Sequence, residues 1–264
     1  MAKRKIYAVS FMKFLVALLT VLLVPAVHAQ SLPPAQFGNL VYPAPGNIHL
    51  DEGTLDLWLI GDFDTDRDKA TATGPDNRSA VFFMLMFPDE NWKYSFFFVG
   101  WADALALVGY NDPGQRYIWV GPPHWKAGER RHVVMTWSGR KRSLYIDGVS
   151  DWVGSKGKRA SRDVEVEGEF MGDLTRAFIQ IGGGHSYLTV DEIHIRRIAL
   201  TTAEVLAEKD AAPVADVNTL LLDHCDGGPP TISGSEGERQ LTGTYEIVDG
   251  KFGKAIKLWK AKPE

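Results

Sequence analysis

The sequence holds a single cysteine, Cys225. No intramolecular disulfide can form, so whatever core the chain builds must hold without covalent staples. An excess of positive charge is also missing. Of the 29 Lys and Arg, four (Lys3, Arg4, Lys5 and Lys13) sit in an N-terminal stretch that reads as a removable leader, which leaves the 33 Asp and Glu further in excess. Phosphate backbones are bound by clustered bases, so nucleic acid is not an expected partner. The one basic cluster, Arg130-Arg131 with Arg140-Lys141-Arg142, brackets a strand and reads as solvated strand ends.

A long apolar run is missing too. A membrane span needs ~20 apolar residues, and the run over 14–24 is cut short by Lys13. With its positive start, its apolar stretch, the break at Pro25 and the small residues of Val27-His28-Ala29, the N-terminus has the three-part layout of a secretory signal peptide. The expected leader is 1–29 and the expected mature chain 30–264. That chain has no membrane span after cleavage and is secreted, periplasmic or at the cell surface.

Catalytic motifs are scarce. There is no Gly-x-Ser-x-Gly elbow and no His-x-x-x-His spacing. Gly182-Gly183-Gly184 lacks the Lys-Ser/Thr of a phosphate loop and reads as a turn. Asp62, Asp64, Asp66 and Asp68 suggest a calcium loop, but an EF-hand needs Gly sixth and Glu twelfth, and those places hold Arg67 and Thr73. Glu165, Glu167 and Glu169 alternate as a glycosidase strand would, yet they lie in a hydrophilic stretch that reads as a solvated edge. The chain is therefore expected not to be an enzyme.

What is present is the period of strands. Leu55, Leu57 and Leu59 alternate with Asp56 and Trp58; Val133, Met135 and Trp137 alternate with Val134 and Thr136. Ser138-Gly139-Arg140 turns the chain into a return strand over 143–147, and Asp147-Gly148 is a second turn signal. Residues 81–87 and 94–99 are apolar on both faces, as strands buried between two sheets are. One helix is expected after Leu200: Thr201 caps it, Glu204 completes a capping box, and Leu200 with Val205 forms the staple. His132 and His194 fall in strands, as packed or surface side chains. The expected fold class is all-β: a two-sheet antiparallel β-sandwich, a jelly roll, with one short helix.

Arg131-His132-Val133-Val134-Met135-Thr136-Trp137 followed by Leu144-Tyr145-Ile146-Asp147-Gly148 resembles the central hairpin of laminin-G-like, concanavalin A-like domains. Val190-Asp191-Glu192-Ile193-His194-Ile195 with Ala199-Leu200-Thr201 resembles their closing strand and helix, and Gly53-Thr54-Leu55-Asp56-Leu57-Trp58 their first long strand. The resemblance spans about 53–208. It departs at Arg130, where the family often has Trp. The family's opening strand and Gly-x-Phe-Gly-x-Ala segment are not found over 30–51; their likeness stands at the C-terminus, in Leu220-Leu221-Leu222-Asp223 and Gly250-Lys251-Phe252-Gly253-Lys254-Ala255. Either 219–258 closes the first sandwich in permuted order, or a second domain begins there. Closure is favoured, because half a domain cannot bury its apolar residues.

The resemblance further implies one structural Ca2+ held by Asp191 and Asp226, and a non-catalytic binding module for an extracellular glycan or surface protein. A carbohydrate-active hydrolase and a structural component of a surface assembly are the alternatives. The ligand surface is expected between 89 and 126, where Trp92, Trp101, Tyr110, Trp119 and Trp125 lie among turn residues; exposed rings of that kind stack on sugars. The opposing reading is that they plug the ends of the sandwich.

Overall fold

The computed structural model describes residues 38–61, 80–99, 104–110, 117–120, 125–148, 163–165, 168–183, 188–235 and 238–259. Among these, two antiparallel sheets face each other. The first runs, from edge to edge, β14 (Gln240–Thr242), β1 (Asn39–Pro43), β10 (Phe178–Gly182), β3 (Ala80–Phe87), β4 (Trp92–Val99), β5 (Ala104–Tyr110) and β6 (Tyr117–Val120). The second runs β13 (Ile232–Ser233), β12 (Thr219–Asp223), β11 (Leu188–Arg196), β2 (Glu52–Gly61), β7 (Arg130–Ser138), β8 (Lys141–Ile146) and β9 (Asp163–Glu165). A hairpin of β15 (Thr244–Asp249) and β16 (Lys254–Trp259) joins the second sheet through β11.

The alternating patterns become the two faces of the second sheet. Leu55, Leu57 and Leu59 on β2 and Val133, Met135 and Trp137 on β7 point between the sheets and are at most 2% exposed. The register sets Leu55 opposite Met135 and Leu57 opposite Val133. The β7–β8 hairpin turns through Gly139 and Arg140, since Ser138 pairs with Lys141. Gly139 takes a positive φ of 53°, which glycine adopts without penalty.

The C-terminal strands complete both sheets: β12 and β16 pair with β11, and β14 pairs with β1. Strands from 219–259 are thus part of both sheets. They are pinned by a buried polar knot. Tyr42 Oη donates to Asp223 Oδ2 at 2.8 Å, and Arg239 Nη1 donates to both oxygens of that carboxylate at 3.0 and 2.7 Å. Cys225 packs there with no exposed surface, and burial pushes its thiol pKa up. Strand β1 lies inside the stretch where no opening strand was recognised.

The helix, α1 (Thr202–Glu208), forms where its signals stand. Thr201 and Glu204 make the reciprocal capping box. Leu200 and Val205 pack with Val134 and Tyr145 in a small apolar cluster of their own, on the side of the second sheet that faces away from the first. One expectation about charge is corrected. Arg142 is not solvated: it is 1% exposed, its guanidinium carbon lies 3.9 Å from the centre of the Phe170 ring, and Nη1 donates to Lys141 O at 2.8 Å. Arg131 pairs with Glu129 at 2.6 Å and Asp147 at 2.7 Å.

Candidate functional site

Of the rings expected on the ligand surface, Trp92 and Trp125 are packed inside the sandwich. Trp125 has no exposed surface; its ring tilts against Phe82 at 5.7 Å and its Nε1 donates to Glu129 O at 2.8 Å. Trp92 is 6% exposed, stacks on Phe87 at 4.3 Å and donates to Glu90 Oε2 at 2.8 Å. Both rings bury their apolar body and satisfy their single N–H on a nearby acceptor, which is how an indole plugs the end of a core. Neither has a face left for a sugar. Tyr110 ends β5 opposite Lys93, and Trp119 lies on β6 opposite Ala106. Trp101 lies outside the described residues, as do Glu167 and the Asp62–Asp68 carboxylates. Glu165 and Glu169 are exposed.

Asp191 and Asp226 do come to one place, where β11 forks. The C-terminal half of β11 pairs with β12 and its N-terminal half with β16. Between Asp191 and His194 the β2 register slips, and Glu192 takes a φ of 56°. This is a β-bulge with a non-glycine residue in left-handed geometry, a local cost of order 1–3 kcal/mol. Asp191 Oδ2 accepts from Lys251 N–H, and Asp226 Oδ1 accepts from Lys254 N–H at 2.6 Å. A Cβ on Gly250 would stand 2.6 Å from Asp191 Oδ2, so only glycine lets the 250–253 turn sit this close.

Glu192, 1% exposed, takes His224 Nδ1 at 2.6 Å. Burial lifts its carboxyl to about 7 despite the His224 hydrogen bond, with Asp191 and Asp226 adding repulsion. Burial also raises Asp191. A calcium ion takes six to eight oxygens; here Asp191 Oδ2 and Asp226 Oδ1 each accept a turn N–H, while Asp191 Oδ1 is buried with no hydrogen-bond partner. No group of three His, Cys, Asp or Glu is placed to hold a metal among the described residues. The pair acts as a clamp on the turn.

A candidate site that sequence reasoning did not point to lies on the outer face of the second sheet, beside α1 and the 209–218 connection. A cavity of about 230 Å³ is lined by Asp56 and Trp58 of β2, His132 of β7, Arg196 of β11, Glu208 of α1, and Ala211, Ala212, Pro213, Val214 and Asp216. Its floor is polar and buried: Asp56, His132 and Arg196 are 4%, 1% and 4% exposed. His132 Nε2 sits 2.7 Å from Asp56 Oδ1, and Arg196 Nη1 2.7 Å from Glu208 Oε2. Trp58 stacks on His132 at 4.9 Å and is capped by the Lys251 ammonium at 3.4 Å. Lys251 also donates to Lys209 O at 3.2 Å, tying the connection to the sheet.

Beside the cavity, His194 Nε2 meets Thr219 Oγ1 at 2.9 Å. Burial lowers its pKa to about 4, and the Arg196 charge adds to that, so the ring is neutral at physiological pH. Among the described residues, His132 Nδ1 and Arg196 Nε are buried with no hydrogen-bond partner. One signal for this site was legible. Asp56, Trp58, His132 and Thr136 hold the outward positions of strands whose inward positions are wholly apolar. Nothing local says that a helix over a hundred residues from β2 in sequence lies over them.

These features define a two-sheet sandwich with one outer face roofed by a helix. Chains of similar structure include a heptameric SAP-like pentraxin from Limulus polyphemus, 14% identical with a TM-score of 0.46, over 80% of this chain and 88% of that one. The mouse laminin alpha1 chain, domains LG4-5, is 13% identical with a TM-score of 0.41, over 72% and 44%. Domain 4 of an extracellular arabinanase from Geobacillus stearothermophilus, in complex with arabinotriose, is 18% identical with a TM-score of 0.38, over 61% and 68%. No protein-family model matches the chain, and no curated relative does.

Proposed function

We propose that the chain is an exported, non-catalytic binding module whose partner is an extracellular glycan or a surface protein. The observation that carries this reading is the state of the acids around the outer-face cavity. Asp56 is held by His132, Glu208 by Arg196, and Asp216 by Asn218 N–H and Thr219. A general acid needs a carboxyl raised toward neutrality and free to give up its proton. Here the Asp216 pKa is lowered, chiefly by the Asn218 hydrogen bond acting against burial. A small concave site with a few convergent polar groups, its acids each held by a partner, suits recognition better than turnover, and the carboxyl raised to about 7, Glu192, lies buried at the β11 fork with His224 as its partner.

Export rests on the leader at 1–29, which lies outside the described residues. No helix among those residues is long and apolar enough to cross a membrane. A glycan array run with a reducing-end release assay tests the reading. Retention on an extracellular polysaccharide or an envelope protein, without release, is the expected result. Release of reducing ends that survives purification to homogeneity overturns it.

A further inference from the structure

We infer that the outer-face cavity is a binding site for a single neutral, hydroxyl-bearing sugar ring; this rests on the binding-module reading and locates its ligand away from the 89–126 segment. Size sets the first limit. Small-molecule pockets run to roughly 300–1,000 Å³, so about 230 Å³ holds one ring and not an oligosaccharide. Any further residue of a chain would lie outside it.

The donor and acceptor inventory sets the second limit. Arg196 can only donate, and its Nε–H is buried without an acceptor. His132 shares Nε2 with Asp56, and its Nδ1 is likewise buried without a partner, an atom that accepts in the neutral ring and donates in the charged one. A buried polar group left unmatched costs about 1–3 kcal/mol, so an occupant able to serve both atoms gains that much at each. An ammonium ligand has nothing to offer Arg196. A carboxylate or phosphate ligand could accept from Arg196 but would meet Asp56, Glu208 and Asp216, three acids against one guanidinium. A hydroxyl both donates and accepts and carries no charge, so it serves the whole set.

The walls complete the fit. Ala211, Ala212, Pro213 and Val214 are apolar or nearly so, and they face a polar floor. A pyranose has that division itself, with C–H groups on one face and hydroxyls around the rim. Both unmatched nitrogens belong to residues that line the cavity, and residues 211–214 form its apolar wall. In that stretch Val214 is 75% exposed and Ala211 and Ala212 are exposed.

The test uses the full mature chain and titration calorimetry with methyl hexosides (gluco, galacto and manno), glucuronate and glucosamine. At least one neutral hexoside is expected to bind, with the matching glucuronate and the protonated glucosamine each about tenfold weaker, a loss of ~1.4 kcal/mol. Val214→Trp, at an exposed lining position, is expected to abolish that binding with Tm unchanged. If Val214→Trp lowers Tm, Ala212→Trp takes its place. Glu208→Gln is expected to relieve the penalty against glucuronate. Hexoside or polysaccharide binding that survives both tryptophan variants overturns the location while leaving the binding module standing. A wild-type chain that binds glucuronate more tightly than every neutral hexoside overturns the ligand class. A wild-type chain that retains envelope protein but no sugar overturns this inference alone, and one that retains nothing overturns the module as well.

Discussion

The two faces of the β2–β7–β11 sheet are equally buried and chemically opposite. Inside stand Leu55, Leu57, Leu59, Val133, Met135, Val190, Ile193 and Ile195, with Trp137. Outside stand Thr54, Asp56, His132, His194 and Arg196, each at most 4% exposed, apart from the apolar patch under α1. The inner face is what the hydrophobic effect alone would select. The outer face removes charged and polar groups from water, which hydrophobic replacement would often match or improve in stability. The proposed binding site would give the outer face a reason to keep them that folding alone does not supply.

The sharpest way to break this comparison is to show that an inner aromatic is dispensable. Trp125→Ala is expected to cost about 3–5 kcal/mol of unfolding free energy, read by urea denaturation. A variant that keeps its stability but loses glycan retention would return Trp125 to the ligand surface.

On the outer face, Asp56→Ala and His132→Ala are each expected to cost about 2 kcal/mol, because each strands a buried partner. The double variant should cost less than the sum, with a coupling of roughly 0.5–3 kcal/mol. Strict additivity would mean that the 2.7 Å contact contributes nothing.

The fork offers a pH-resolved test. Glu192 has its carboxyl raised to about 7 in the fold, so the stability it contributes is complete below its ordinary value near 4.5 and is lost as pH rises through about 7. His194 works the other way. Its pKa is lowered to about 4, so its contribution is present above its ordinary value near 6.5 and is lost as pH falls through about 4. Glu192→Gln removes the first effect only. The Tm gained by the variant over the parent should therefore grow by several degrees between pH 5 and pH 8, and a constant difference would refute the assignment.

The smallest effect expected is that of chelation. With Asp191 and Asp226 occupied by the Lys251 and Lys254 N–H groups, EDTA should leave Tm where it was. A drop in Tm that added calcium reverses would restore the ion that the family resemblance implies.

Much of the architecture was legible because its signals are local. The two-residue periods of β2 and β7, the turns at Gly139 and Asp147-Gly148, and the Thr201–Glu204 box each depend on residues within a few positions of one another. The orientation of the aromatics was not legible. Trp92 and Trp125 sit among turn residues as exposed rings would, and only the packing of Phe87 and Phe82 against them decides that they face inward.

The single cysteine, the acid excess, the alternating strands and the capped helix were determined by the sequence alone, since composition and short-range periodicity need no knowledge of distant chain. The roofed outer face, the bulge that turns Glu192 toward His224 and the fork that Asp191 and Asp226 clamp were decided only in three dimensions. A half-buried strand specifies which side is apolar. What lies over its polar side depends on contacts made dozens to more than a hundred residues away, and no local pattern encodes them.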